Sequence, residues 1–210
     1  MNKTMNMFNQ IITIFTSFVL LNLLWLLFCL PVVTIFPATA ALFGTVRKWI
    51  RIGLDVGIYR VFVQEFKLNF KKSIGAGFLW TIFFAIISID LAIVLQNEFV
   101  GKSFVLIFLV FFVLLFVFVT IYLFFLIVHY DLSLVHTVKN SLLFSLGHLN
   151  YTVLFLGMIF LFLIVIYYLP FFLLFSGSLL AFIMYGLFHK LTLKSEEGQN
   201  SQHKLNTDIT

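Results

Sequence analysis

Few side chains in this sequence could do chemistry. Asp90 is the one acid set well inside an apolar run, Asn22 lies in the middle of another, and Tyr122 is the main polar handle of a third. A polar or ionisable group at bilayer depth either lines a solute or proton path or ties helices together. These three residues form the candidate intramembrane polar site. Asp90 has a plainer reading as well. It stands five residues before Leu95, about 7–8 Å from the outer end of its span by helical rise, where it would reach the interface or pair with Lys102.

Other chemistry is missing from the pattern. His129, Asp131, His136 and His148 fall within twenty residues, but their spacing matches neither H-x-x-x-H nor H-E-x-x-H. There is no G-x-S-x-G, no phosphate-binding loop and no carboxylate pair inside an apolar stretch. The single cysteine, Cys29, permits no intrachain disulfide and no cysteine-based cluster. The expectation is a non-enzyme with no catalytic residue, no cofactor and no metal.

The surrounding composition is that of a membrane protein. Of 210 residues 62% are hydrophobic, 10% are charged and thirty are Phe. Soluble domains are about 25% charged, and one this small could not hide so much apolar side chain. Ile11–Leu30 is a twenty-residue apolar run, enough to cross a hydrocarbon core of about 30 Å. Pro31 should kink this first helix, which should end by Phe36. Ala38-Thr39-Ala40 has the form of a signal-peptide cleavage site, but the apolar stretch before it is too long for one. Ile74–Leu95 and Ser103–Val128 supply the second and third spans. Tyr151–Phe188 is about 57 Å long as one helix, so it should divide at Pro170 into spans of about 151–169 and 172–189, or form a re-entrant pair.

Between the first two spans, residues 37–73 hold seven of the thirteen basic residues: Arg47, Lys48, Arg51, Arg60, Lys67, Lys71 and Lys72. Only Asp55 and Glu65 oppose them. Such a block marks the cytoplasmic side. The N-terminus is then outside, the 129–150 segment inside and the C-terminus cytoplasmic. The net charge of +5 reads as topology and attraction to anionic lipid, with no nucleic-acid partner expected.

Within the basic stretch Trp49, Ile52, Val56, Tyr59, Val63, Phe66 and Phe70 recur at steps of three and four. This predicts two amphipathic interfacial helices, about 40–52 and 56–70, broken near Gly53 with Asp55 capping the second. They would anchor the spans or dock a partner. Ser133 or Asp131 should cap a helix in the 129–150 segment. The fold class expected is all-α: a polytopic integral membrane protein with five transmembrane helices, forming a single domain over 1–193, then a disordered tail over 194–210.

The stretch Leu21–Ile35, the Pro37-Ala38-Thr39-Ala40-Ala41-Leu42 segment, Arg47-Lys48-Trp49, Phe66–Ser73 and Lys139-Asn140-Ser141-Leu142 together resemble the YesL-like family of bacterial membrane proteins, a family of unknown function. The likeness extends to about Leu193. The family pattern has glycine where this chain has Phe36. Members often lie beside genes for carbohydrate uptake and breakdown. The resemblance therefore implies an accessory role in carbohydrate transport, next to a permease complex in the bacterial cell membrane. The alternative is a solute transporter or channel in its own right, with Asn22, Asp90, Tyr122 and the Pro170 break along its path. Membrane lipids are the other expected partners, and small residues with Asn22 would suit a homo-oligomer.

Overall fold

The structure is a computed structural model that describes the backbone of residues 2–54 and 57–207 and the side chains of residues 11–54 and 57–194. Seven helices follow one another: α1 (Asn2–Cys29), α2 (Ile35–Ile52), α3 (Ile58–Gln96), α4 (Lys102–His129), α5 (Leu134–Gly147), α6 (Leu149–Tyr168) and α7 (Leu173–Thr207). No strand occurs among the described residues. Among the described residues five helical segments are long and apolar enough to cross a membrane: Ile11–Cys29, Ile58–Gln96, Lys102–His129, Leu149–Tyr168 and Pro170–Lys194.

Their outward surfaces carry large exposed apolar side chains, among them Phe78, Phe84, Phe104 and Ile107. In water such a surface would drive association. Against lipid tails it carries no such penalty, so the folding problem reduces to satisfying backbone and polar groups internally.

The first helix ends differently from the expectation. Pro31 terminates α1 instead of kinking it, and a 3-10 turn over Val32–Thr34 leads directly into α2. Proline has no N–H to continue the ladder. The Thr34 hydroxyl instead donates to Phe28 O at 2.6 Å, satisfying one of the carbonyls left open at the end of α1. The next helix thus begins at Ile35, before Phe36. Pro37 is its third residue, where an absent N–H costs nothing. Phe36 packs on α3: a Cβ at Gly77 would come within 3.1 Å of its ring.

The helix α2 sits at the centre, packed against α1, α3, α4 and α7. Ala38, Ala40, Ala41 and Val46 are fully buried, and Trp49 is nearly so. Small side chains let the neighbouring helices come close. This corrects the picture of an interfacial helix over 40–52, because most of this stretch faces other helices. The break at Gly53 is present, with a φ of 103° that suits glycine, and its N–H donates to Trp49 O at 2.9 Å. Asp55, the expected cap, lies outside the described residues.

The predicted second short helix over 56–70 is the first part of α3, which continues without interruption through the second span. The inward face also differs from the predicted one. Phe62, Glu65, Ser73, Ala76 and Trp80 are buried, whereas Ile52 and Tyr59 are largely exposed. Glu65 takes an inward position because Arg47 and Lys48 of α2 meet its carboxylate there.

The remaining elements lie close to expectation. The third span, read as 103–128, is α4, and Ser133 caps α5. Pro170 opens a 3-10 turn between α6 and α7. The exception is α7, whose backbone is helical to Thr207, through most of the segment 194–210 expected to be disordered; the side chains from residue 195 onward lie outside the described set. An aromatic cluster binds α4, α6 and α7: Tyr122, Phe125, Phe155, Tyr185 and Phe188 are buried, and the rings of Phe125 and Phe188 stack at 4.9 Å. Contacts of this kind add about 0.5–1.5 kcal/mol beyond the area they bury.

Candidate functional site

The densest polar constellation lies at the basic end of the bundle, around Glu65. This residue is 1% exposed. Its Oε1 lies 3.3 Å from Arg47 Nη2 and 3.1 Å from Lys48 Nζ. Its Oε2 accepts from Arg47 Nη2 at 3.4 Å and from Asn69 Nδ2 at 3.3 Å. Arg47 and Lys48 are successive residues of α2, while Glu65 and Asn69 stand one turn apart on α3. Gly44, one turn before Lys48, leaves room for the carboxylate. A Cβ there would stand 2.9 Å from Glu65 Cδ.

Bases of α2 and α3 also reach the end of α4. Arg47 Nη1 donates to Val128 O, and Lys72 Nζ donates to Tyr130 O at 3.2 Å. The last carbonyls of a helix lack intrahelical partners and carry the negative end of its dipole, so cations there are favoured. Next to this point His129 Nδ1 and Tyr185 Oη lie 2.9 Å apart, joining α4 to α7. The result is a clamp in which α2, α3 and α4 share one set of charges. Both carboxylate oxygens are engaged, so the arrangement holds helices together and presents no free acid or base.

The seven basic residues read as an interface group therefore divide in two. Arg47, Lys48 and Lys72 are half-buried and bonded within the fold. Arg51, Arg60, Lys67 and Lys71 are exposed. Sequence spacing alone did not separate them, because the partners of the first set lie on α3 and at the end of α4, seventeen or more residues away in the chain.

The intramembrane trio is not brought together on a shared polar surface. Asn22 is fully buried, its Nδ2 donating to Leu173 O at 2.8 Å and its Oδ1 accepting from Ser178 N at 3.1 Å. It ties α1 to the start of α7. Ser178 strengthens the junction by donating from Oγ to Phe18 O at 2.8 Å. Tyr122 is also fully buried, with its Oη 3.2 Å from Thr152 Oγ1 on α6. Asp90 is exposed on α3, at the wall of an apolar groove shared with α4. It does not pair with Lys102, whose ammonium lies 2.6 Å from Glu98 Oε1 instead.

The histidines also separate. His136 Nδ1 lies 2.8 Å from Ser133 Oγ within the cap of α5, and His148 stacks on Phe144. Among the described residues no three His, Cys, Asp or Glu side chains converge on a point that could hold a metal.

The glycine at Gly44 and the buried Glu65 belong to the part of the chain that relatives share. The family described as "Protein of unknown function, DUF624" matches residues 18–91, which takes in α2 and nearly all of α3. "Uncharacterized protein YteU" of Bacillus subtilis (strain 168) is 37% identical over 191 residues, covering 87% of this chain and 84% of that protein. "Uncharacterized protein YesL" of the same organism is 28% identical over 193 residues, covering 87% of this chain and 88% of its own. No solved structure matches the chain. Similarity to YteU of this degree, over 87% of this chain, makes it a member of the YesL-like DUF624 family of uncharacterised proteins.

Proposed function

We propose that this protein is a non-catalytic accessory protein of the bacterial cell membrane that docks on a carbohydrate permease complex. The observation that carries this reading is how the polar groups are used. Asn22, Tyr122 and Glu65, each almost fully buried, are bonded to neighbouring helices. A sugar path needs several convergent polar groups facing a cavity. The groups left over include Asp90 and the exposed bases Arg51, Arg60, Lys67 and Lys71 at one end of the bundle.

In this reading those four bases face the cytoplasm, with the N-terminus outside and the C-terminus inside. The exposed side of α3 around Tyr59, Arg60, Val63 and Lys67 lies at the inner headgroup layer. There it meets anionic lipid and the cytoplasmic part of the permease. The carbohydrate assignment is supported by the gene neighbourhood that the family resemblance implies.

The test is a photo-crosslinking residue at position 60 or 67 in the native host, followed by identification of the adducts. A permease subunit is expected, together with slower sugar uptake when the protein is deleted. Adducts to lipid alone, with uptake unchanged, would refute the role. Sugar uptake by vesicles holding only this protein would establish the transporter alternative.

A further inference from the structure

The groove that contains Asp90 has a composition that no structural role accounts for. It is a cavity of about 330 Å³ between α3 and α4, with Val138 of α5 also in its lining. From α3 come Trp80, Phe83, Ile87 and Asp90, which recur at helical spacing along one face. From α4 come Phe112 and Phe116. The Trp80 ring is fixed, since its Nε1 donates to Thr120 Oγ1 at 2.7 Å and it packs 5.4 Å from the ring of Phe116. The wall is thus aromatic and aliphatic, with a single carboxylate at one end.

No cation among the described residues bonds to that carboxylate. Lys102, the basic residue next along the chain, is committed to Glu98 Oε1 and to Leu95 O. A carboxylate on an apolar groove without a partner is unfavourable if the groove faces lipid, and a positive charge arriving there would relieve it. Aromatic faces attract cations too, most strongly where water is excluded. The apolar walls select against small hydrated ions, which would lose their water for little return. The three requirements together describe one ligand class.

We propose that the groove between α3 and α4 binds a lipophilic monocation, an organic cation whose charge is surrounded by aromatic or aliphatic groups, with Asp90 as its counter-ion and Trp80, Phe83, Phe112 and Phe116 as its walls. The charge sits beside Asp90 toward the outer end of α3, and the apolar body extends toward Trp80. Entry is lateral, from the bilayer, because the groove lies on the outward face of the α3–α4 pair. This site is independent of the docking role assigned to the basic end.

The probe is tetraphenylphosphonium, titrated into the full-length protein in nanodiscs and followed by calorimetry and by tryptophan fluorescence. Saturable binding is expected at one site per chain. Asp90→Asn should weaken it about tenfold or more, which is the loss of roughly one close charge interaction, while Asp90→Glu should retain most of it. Phe112→Ala should weaken binding with Asp90 intact. The uncharged isostere tetraphenylmethane should not compete. Because Asp90 is exposed and makes no bond within the fold, Asp90→Asn should melt at or above the wild-type temperature, so that loss of binding is not loss of folding. Equal affinity in wild type and Asp90→Asn, competition by the neutral isostere, or no saturable binding to wild type would each overturn the proposal.

Discussion

Gly44 of α2 and Glu65 of α3 are in direct contact: a methyl group added to the glycine would stand 2.9 Å from the carboxylate carbon. The carboxylate cannot retreat, because Arg47, Lys48 and Asn69 hold both of its oxygens. The glycine is therefore part of the charge clamp although it has no side chain. Gly44→Ala should destabilise the protein by about 1–3 kcal/mol, the usual cost of overpacking. Gly157, which has nothing within 4 Å of an added Cβ, provides the control. Thermal unfolding in detergent should separate the two, with Gly157→Ala at or above wild type.

The clamp itself gives an order of effects that is easy to get wrong. Glu65 is the most buried of its charges. Replacing both Arg47 and Lys48 with Met leaves that carboxylate uncompensated, at a cost of about 3–5 kcal/mol. Adding Glu65→Met to the double variant removes the stranded charge. The triple variant should therefore be more stable than the double one. Chemical unfolding of the three proteins side by side measures this, and a triple variant less stable than the double would show that the apolar replacements fail for another reason.

Asn22 supports the junction of α1 and α7 with two hydrogen bonds, both to backbone atoms. Asn22→Leu breaks both and leaves the Ser178 N–H without its acceptor. Interhelical bonds in membranes are worth about 0.6–2 kcal/mol. A loss of about 1–2 kcal/mol is expected, read as a lower unfolding midpoint in mixed micelles. Gly177→Ala attacks the same junction from the other side, since a Cβ there would meet the Trp25 ring at 2.9 Å. The two variants should be less than additive, because they disturb one contact.

The orientation can be checked with Cys29 replaced by Ser, so that each added cysteine is the only one in the chain. Val100, fully exposed in the turn between α3 and α4, and Lys67, exposed at the basic end, are the positions to compare. In intact cells an impermeant maleimide should label Val100→Cys and spare Lys67→Cys until the membrane is permeabilised. The reverse pattern would invert the topology drawn from the positive charges.

How far the sequence could be read depended on whether each segment's partners were local. The helix α4 was legible almost to the residue, because its apolar run is uninterrupted and Gly101, with φ of 93°, breaks the chain before it. Ser133 and Pro170 were legible because caps and proline act within a turn of themselves. The region from 35 to 73 was not, for a specific reason. The inward stripe of α3 holds Glu65 and Ser73 beside Phe62 and Ala76, so hydrophobic spacing pointed to a different face. The bases of α2, eighteen and seventeen residues earlier in the chain, make Glu65 acceptable inside the bundle. For the same reason Arg47 and Lys48 looked like surface charges. Asn22 and Tyr122 stand out in the sequence by type and position, but residue type alone could not say that each would be matched by a neighbouring helix and not by a shared cavity.

The uninterrupted course of α3 has a mechanical meaning. Its 39 residues make a rod of about 58 Å, roughly twice the thickness of the hydrocarbon layer. A rod with no joint at the membrane surface cannot sway in one half and stay still in the other. Pivoting it by 10° about its midpoint would carry each end sideways by about 5 Å. Lateral crowding or thinning of the lipid around one half would thus be transmitted to Arg60 and Lys67 at the other, and the Glu65 linkage would drag α2 along with them.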